Sequence, residues 1–205
     1  MQKTIHLFRH GTPEEALQGR CRGGDTHCDL SPEGMQQTRG NIAYLLSYLE
    51  PSEMHVVTSS MERSDFFGRE LAMHGVPHTV DKRFRTIGAG DWEGLSWEEI
   101  KLRWPEQFEI ASSRAQHLEM PNGEPVSHFQ SRVRAAFRNC LNLPPRNIVI
   151  VGHGCTNEVI LADAEKREDL NFRNQPIACM NRIDVDEKGA MHVQEKKATV
   201  YIQYV

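Results

Sequence analysis

Two patterns of apolar and polar positions alternate along the chain. Runs at Ile5–Phe8, His55–Thr58 and Asn147–Val151 predict short strands, and the first and last of these are apolar enough to be buried. Apolar residues three or four positions apart after Ser31 and over 126–142 predict amphipathic helices between them. Because strands and helices alternate, we expect an α/β fold with an open sheet.

Capping residues place several helix starts. Ser31 followed by Pro32 predicts the N-cap and first residue of a helix. Ser59 with Glu62, and Ser96 with Glu99, have the spacing of capping boxes. The first of these boxes would put Arg63 in the first turn of its helix, where the helix dipole favours an anion. A further helix is predicted from about Thr156 to Ala164.

The remaining segments are less regular. Residues 12–29 lack either period and predict a long loop, and 86–125 predict a lid-like excursion from a single domain of residues 1–205. An ordinary surface connection is the alternative for that excursion. Alternating residues over 177–185 and 190–204 predict two last strands.

Charge and composition exclude some classes of partner. The net charge of −4 gives no general attraction to nucleic acid or to an anionic membrane. No apolar stretch is long enough to span a bilayer, and no signal peptide precedes the first strand, so we expect a cytoplasmic protein. Five scattered cysteines favour reduced thiols. Cys21, His27 and Cys28 lack a second ligand pair, so no metal site is predicted.

The chemistry concentrates at two strand ends. Arg9-His10-Gly11 follows the first strand and Gly152-His153-Gly154 follows a later one. Ligands of open α/β sheets bind at the carboxyl ends of strands. Arginine matches tetrahedral oxyanions, and a neutral imidazole is a nucleophile near pH 7, so the set suits phosphoryl transfer. The sequence has neither a Walker-type loop nor a carboxylate cluster for Mg²⁺.

These motifs together resemble the histidine phosphatase superfamily, the phosphoglycerate mutase-like enzymes of branch 1. The resemblance covers residues 3 to about 165 and also includes Ser59-Ser60 with Arg63, the stretch 90–94 and Gly123-Glu124. It implies a three-layer α/β/α sandwich with a mostly parallel central sheet. It further implies that His10 becomes a phosphohistidine, that Arg9, Arg63 and His153 complete the phosphate pocket, and that no metal or organic cofactor is needed. Five more positions are candidates for binding substrate: Gly11, Thr12, Arg22, Gly154 and Cys155.

The chain departs from the family pattern at its proton donor. Thr86 stands where the family usually has a glutamate, and threonine is not an acid at neutral pH. Glu93 or Glu14 could substitute from a neighbouring loop, or the leaving group could be stable enough to need little protonation. Pro125 replaces a frequent serine, and 19–23 resembles the Gly-x-Cys-x-Gly loop of α-ribazole phosphatases, with Arg22 as an unusual residue there.

Three functions stay open at this stage. The leading one is a metal-independent phosphatase acting on a small phosphorylated metabolite. A phosphoglycerate-type mutase is the second, although a chain of 205 residues has little room for the extra lid segments of such mutases. The third is a catalytically weak domain that binds phosphorylated ligands. A homodimer is left open as well, and neither nucleic acid nor membrane is expected as a partner.

Overall fold

A six-stranded sheet forms the centre of the protein in a computed structural model that describes residues 2–14 and 19–200. The strand order is β3-β2-β4-β1-β5-β6. The first four in that order are mutually parallel, whereas β5 and β6 run antiparallel to β1 and to each other. The strands are β1 (Lys3–Arg9), β2 (Met54–Thr58), β3 (His78–Val80), β4 (Asn147–Gly152), β5 (Met180–Val185) and β6 (Met191–Ala198).

Six α-helices connect the strands in the described part of the chain, and their sequences explain where several begin. The helices are α1 (Pro32–Leu46), α2 (Glu62–Ala72), α3 (Trp97–Arg103), α4 (Pro105–Ser113), α5 (Val126–Cys140) and α6 (Gly154–Ala164). Ser31 caps α1 by accepting from the backbone N–H of Gly34, and Ser96 with Glu99 forms the expected capping box of α3. Short 3₁₀ turns lie between some of these elements.

Alternate strand residues pack on opposite faces of the sheet. On one face Phe8 and Val149 pack with apolar residues of α1 and α2, such as Leu45 and Phe67. On the other face the neighbouring strand positions, including Leu7, join the residues that α5 and α6 bury. Helices therefore cover both faces, and the predicted three-layer α/β/α class is confirmed. The sheet as a whole is mixed.

Two predicted boundaries differ from the structure. The N-cap of α2 is Met61, with no side-chain cap, so the capping box of Ser59 and Glu62 is wrong. Ser59 is instead fully buried, and its hydroxyl contacts His153 at the sheet edge. The strand expected from residue 177 begins at Met180. Residues 15–18 of the predicted long loop and 201–204 of the predicted last strand lie outside the described residues.

The excursion of residues 86–125 returns to its own starting point. The backbone N–H of Glu124 donates to the Gly88 carbonyl over 2.8 Å, and that of Asp91 donates to the Pro121 carbonyl over 2.9 Å. Gly90 has a φ of 53°, and a Cβ there would lie 2.2 Å from the Pro121 oxygen. Only glycine fits this close approach. The two ends are thus held together, and α3 and α4 lie between them.

Candidate active site

The strand pairing brings the two histidine motifs together. β1 and β4 are adjacent and parallel, with Arg9 opposite Gly152, so His10 and His153 leave neighbouring strands at the same edge. Their ring centroids lie 5.2 Å apart. His10 is 4 % exposed and His153 is 2 % exposed. This is the carboxyl-terminal edge at which open α/β sheets bind ligands.

One nitrogen of the His10 ring makes a hydrogen bond, and the other makes none with the described residues. Its Nδ1–H donates to the Gly11 carbonyl oxygen over 2.8 Å, which leaves the lone pair on Nε2. Burial, followed by the charges of Arg63 and Arg9, holds the His10 pKa well below its usual value. The ring is therefore neutral at pH 7. A neutral imidazole with an oriented lone pair has the properties of a nucleophile.

His153 is fixed through its other nitrogen. The Ser59 hydroxyl lies 2.8 Å from His153 Nε2 and accepts from the backbone N–H of Met61 over 3.3 Å. Oγ has one hydrogen and two lone pairs, so the direction of its contact with Nε2 depends on the His153 tautomer. If Oγ donates to Nε2, the His153 hydrogen is on Nδ1, the ring nitrogen that has no partner among the described residues. Burial and the nearby Arg63 hold the pKa of His153 well below the usual histidine value. In the tautomer with hydrogen on Nδ1, His153 is a neutral donor through that nitrogen.

Arg9 and Arg63 supply the positive charge. Arg63 lies in the first turn of α2, is 1 % exposed, and donates through Nη1 to the Thr26 carbonyl at 3.1 Å and to Cys28 Sγ at 3.3 Å. Arg9 donates through Nη1 to the Gln175 carbonyl oxygen. Burial is the main cause that lowers the pKa of Arg9, to about 10, so it keeps its charge at neutral pH.

Three buried donors in this group have no hydrogen-bond partner among the described residues. They are Arg9 Nε, Arg63 Nε and His153 Nδ1. Buried polar groups are paired in nearly all folded proteins, so an orphaned one calls for an explanation. All three belong to residues that line one cavity. A tetrahedral oxyanion in that cavity would satisfy them together.

The cavity has a cationic end and an apolar wall. Its volume is about 120 Å³, and Arg9, His10, Arg63 and His153 all line it. Arg20, Arg22 and Arg173 contribute further cations, and no aspartate or glutamate of the described residues lines it. The apolar wall comes mostly from the excursion of residues 86–125. The cavity therefore favours an anion joined to an apolar group.

Comparison with known proteins agrees with this geometry. The model of the histidine phosphatase superfamily (branch 1) matches residues 5–196. The chain belongs to this superfamily. The resemblance expected from the sequence motifs is confirmed.

Individual relatives are distant. The 6-phosphofructo-2-kinase/fructose-2,6-bisphosphatase of chicken (Gallus gallus) is 29 % identical over 160 residues, which cover 78 % of this chain and 32 % of the relative. The mouse (Mus musculus) form 1 matches with the same identity and coverage. The chain thus spans about a third of the length of these curated relatives.

Solved structures of similar fold cover nearly the whole chain. The α-ribazole phosphatase of Shigella flexneri has a TM-score of 0.77 at 19 % identity and covers 98 % of this chain and 100 % of its own. A mycobacterial glucosyl-3-phosphoglycerate phosphatase has a TM-score of 0.79 at 21 % identity, with coverage of 97 % and 100 %. At these identities the likeness shows the histidine phosphatase fold alone.

Some of the candidate site residues line the cavity and some do not. Arg22, Gly154 and Cys155 line it together with the four central residues. Gly11 and Thr12 are not among the lining residues. The Gly11 oxygen is used by His10, and the Thr12 N–H and hydroxyl both donate to Gln37. Gly11 thus orients the His10 ring, and Thr12 holds its loop against α1.

Glu93 and Glu14 also lie outside the cavity lining. The Glu93 carboxylate accepts from the backbone N–H groups of Ala89 at 3.1 Å and Asp25 at 3.2 Å, and from the Thr26 hydroxyl. It thereby joins two loops. Thr86 does line the cavity, so the position expected for the proton donor faces the site without a carboxylate.

Other residues of the site have no recognisable signal in the sequence. Ser59 was interpreted as a helix cap, and its contact with His153 joins residues 94 positions apart. Arg173 and Phe172 come from an irregular segment after α6, where no motif marks them. Trp97 was predicted only as a packing residue of a short helix. A pattern of local periodicity contains no signal for such contacts.

Neither a metal-binding cluster nor a membrane-spanning helix occurs in the described ranges 2–14 and 19–200. No group of three or more histidine, cysteine, aspartate or glutamate side chains there is arranged to hold a metal ion. None of the helices within those ranges has the length and apolar character needed to cross a membrane.

Proposed function

We propose that this protein is a phosphatase that hydrolyses a small phosphorylated molecule through a phosphohistidine at His10. The observation that carries the proposal is the neutral His10 ring with Nε2 uncommitted, beside three buried donors that lack partners. A phosphoryl group between them would meet its nucleophile and its charge stabilisers at once.

In the first step His10 Nε2 attacks phosphorus, and the bond from phosphorus to the leaving oxygen breaks. The electron pair of that bond departs with the leaving group. Arg9, Arg63 and His153 Nδ1 donate to the phosphoryl oxygens, where charge is spread in the transition state. The imidazole becomes cationic on phosphorylation, and its Nδ1–H bond to the Gly11 oxygen stabilises that charge.

In the second step water attacks the same phosphorus. The nitrogen–phosphorus bond breaks, its electron pair returns to Nε2, and one proton of the water is released. Inorganic phosphate and neutral His10 result. The chemistry needs only the side chains described, and the names of several relatives and structural neighbours as phosphatases support hydrolysis as the net reaction.

One observation favours a second candidate, a domain that binds phosphorylated ligands with little turnover. Thr86 faces the cavity, and none of the described acidic residues lines it. Such a domain would retain the anion site while lacking protonation of the leaving group.

Rapid quenching with p-nitrophenyl phosphate separates these candidates. A phosphatase releases nitrophenol and accumulates protein-bound phosphate that is labile in acid and stable in base. His10→Ala should abolish both signals, whereas His128→Ala, on the exposed side of α5, should retain them. A rise in the melting temperature on adding inorganic phosphate, without turnover of p-nitrophenyl phosphate, would instead support the binding domain.

The mutase alternative has its own readout. With a phosphorylated diol as substrate, transfer of the phosphoryl group to the second hydroxyl would appear as an isomeric monophosphate. A phosphatase yields inorganic phosphate and the free diol. Turnover in His10→Ala equal to that of the unaltered protein would refute the nucleophile assignment under either activity.

A further inference from the structure

Beyond its cationic end, the cavity is lined mainly by apolar side chains. Six large apolar side chains line it: Ile87, Trp92, Trp97, Leu118, Met120 and Phe172. Phe172 is itself packed edge-on against the buried Phe129 ring, with centroids 5.8 Å apart. Aromatic walls of this kind favour flat apolar groups by burial and stacking. A sugar or glycerol body would leave most of its hydroxyls facing carbon, because the buried Trp92 Nε1–H is one of few polar groups on this wall.

The same region lacks an acid strong enough to protonate a poor leaving group. Apart from the cations and histidines, its side-chain hydrogen donors are the Thr86 hydroxyl, the thiols of Cys21 and Cys155, and the indole N–H groups of Trp92 and Trp97, which are not acids near neutral pH. Burial raises the pKa of Cys21 to about 12 and that of Cys155 to about 11. The departing oxygen must therefore keep its negative charge, which a phenolate does far better than an alkoxide.

A cation lies on the aromatic wall. The Arg173 guanidinium carbon lies 5.5 Å from the Trp97 ring centroid and 4.6 Å from that of Phe108. Its Nη1 donates to the Ser112 hydroxyl over 3.3 Å, and no carboxylate of the described residues lies within ion-pair distance. Arg20, by contrast, has Glu99 at 3.9 Å. Arg173 is thus oriented by two rings and is available to an anion.

We infer that the substrate is an aryl phosphate that carries a second anionic group, such as a carboxylate, away from the phosphate. The inference rests on the proposed function and specifies its substrate. The phosphate binds at His10, the aromatic ring lies along the wall that includes Trp97, and the second anion pairs with Arg173. The phenolate leaves with the electron pair of the broken bond and takes its proton from solvent.

The test compares matched substrates by kcat/KM. Phenyl phosphate should exceed cyclohexyl phosphate by about a hundredfold or more, because only the phenolate departs without an acid. The 3- and 4-carboxyphenyl phosphates should be compared with the neutral carbamoyl analogues. At least one carboxylate should be preferred by about fivefold to tenfold at low salt, and the preference should shrink as salt is added.

Variants assign that preference to a residue. Arg173→Gln should abolish the carboxylate preference while leaving kcat/KM for the carbamoyl compounds nearly unchanged. Arg138→Gln removes an exposed arginine of α5 that does not line the cavity, and it should change neither value. Equal rates on carboxylate and amide in the unaltered protein would overturn the inference, as would a preference that survives Arg173→Gln. Failure to turn over p-nitrophenyl phosphate at all would instead refute the proposed function.

Discussion

Ser59 offers the sharpest test of how the site is organised. Its hydroxyl accepts from the Met61 N–H and lies 2.8 Å from His153 Nε2. As a donor to Nε2, the hydroxyl would favour the tautomer that carries hydrogen on Nδ1. Ser59→Ala removes this selection and leaves every group that would touch phosphate in place. We expect Ser59→Ala to lower kcat with little change in KM, because Nδ1–H donation matters most where charge develops.

The magnitude follows from one hydrogen bond. A buried hydrogen bond between neutral groups contributes about 0.5–1.5 kcal/mol, and 1.4 kcal/mol corresponds to about tenfold in an equilibrium constant. The population of the donor tautomer should therefore fall by up to about tenfold, and kcat with it. Loss of the whole donor in His153→Ala should cost more, on the order of a hundredfold or above.

The assay is single-turnover release of p-nitrophenol, measured beside urea unfolding of the same proteins. Ser64→Ala is the matched control. Ser64 lies in the first turn of α2 and is also buried; it donates to the Val151 carbonyl over 2.7 Å and accepts from the Ser59 N–H over 3.2 Å, without touching His153. It should lower stability by a comparable amount and leave kcat nearly unchanged. Ser59→Thr, which keeps a hydroxyl, should restore most of the activity.

The double variant Ser59→Ala/His153→Ala decides whether the two residues act together. If Ser59 acts through His153, the double variant should be no slower than His153→Ala alone. Losses that multiply would refute this reasoning, as would a Ser59→Ala protein with full kcat. Nitrogen NMR of the imidazole gives an independent readout, since the protonated nitrogen of His153 should be Nδ1 in the unaltered protein.

The two remaining predictions concern pH and the missing acid. Since the pKa values of His10 and His153 are well below about 6.5, the acid limb of kcat/KM should lie below the usual histidine range. The unfolded chain binds these protons at a higher pH than the folded protein does. The free energy of unfolding should therefore be at its highest above pH 6.5 and should fall as the pH falls below that value. Constant stability between pH 7 and 5 would contradict this. Thr86→Glu should raise kcat/KM for cyclohexyl phosphate by about tenfold or more, and it should raise kcat/KM for phenyl phosphate by less. Thr86→Gln introduces a side chain of equal size without an acid, so it should raise neither value.

The fold and the placing of the two histidine motifs at one sheet edge were predictable because their signals are local. A buried strand that ends in Arg-His-Gly or Gly-His-Gly puts its histidine at the sheet edge whatever the rest of the chain does. Ser31 and Ser96 cap helices through neighbours three residues away, and both predictions are confirmed. The predicted capping box of Ser59 and Glu62 is wrong because the Ser59 hydroxyl contacts His153 Nε2 and no side chain caps α2.

The substrate end was not predictable because its residues come from distant segments without a motif. Trp97 and Leu118 belong to the excursion, while Arg173 lies more than fifty residues further along the chain. The ring contacts of Arg173 arise only from tertiary packing. Periodicity assigns each residue to a helix or a loop and contains no information on which loops meet.

The geometry around Thr86 decides how its substitution for glutamate should be understood. Arg132 donates to the carbonyl oxygens of Arg83, Arg85 and Thr86 at 2.7–3.0 Å, and its guanidinium is paired with Glu124 at 2.7 Å. This pairing helps to hold the pKa of Glu124 below its ordinary value, so the Arg132–Glu124 ion pair is charged at neutral pH. The backbone at position 86 is therefore held at the cavity, with the side chain 5 % exposed. The change from glutamate to threonine alters the chemistry of the position and leaves its loop in place, and for this reason a single substitution to glutamate is a fair test of proton donation.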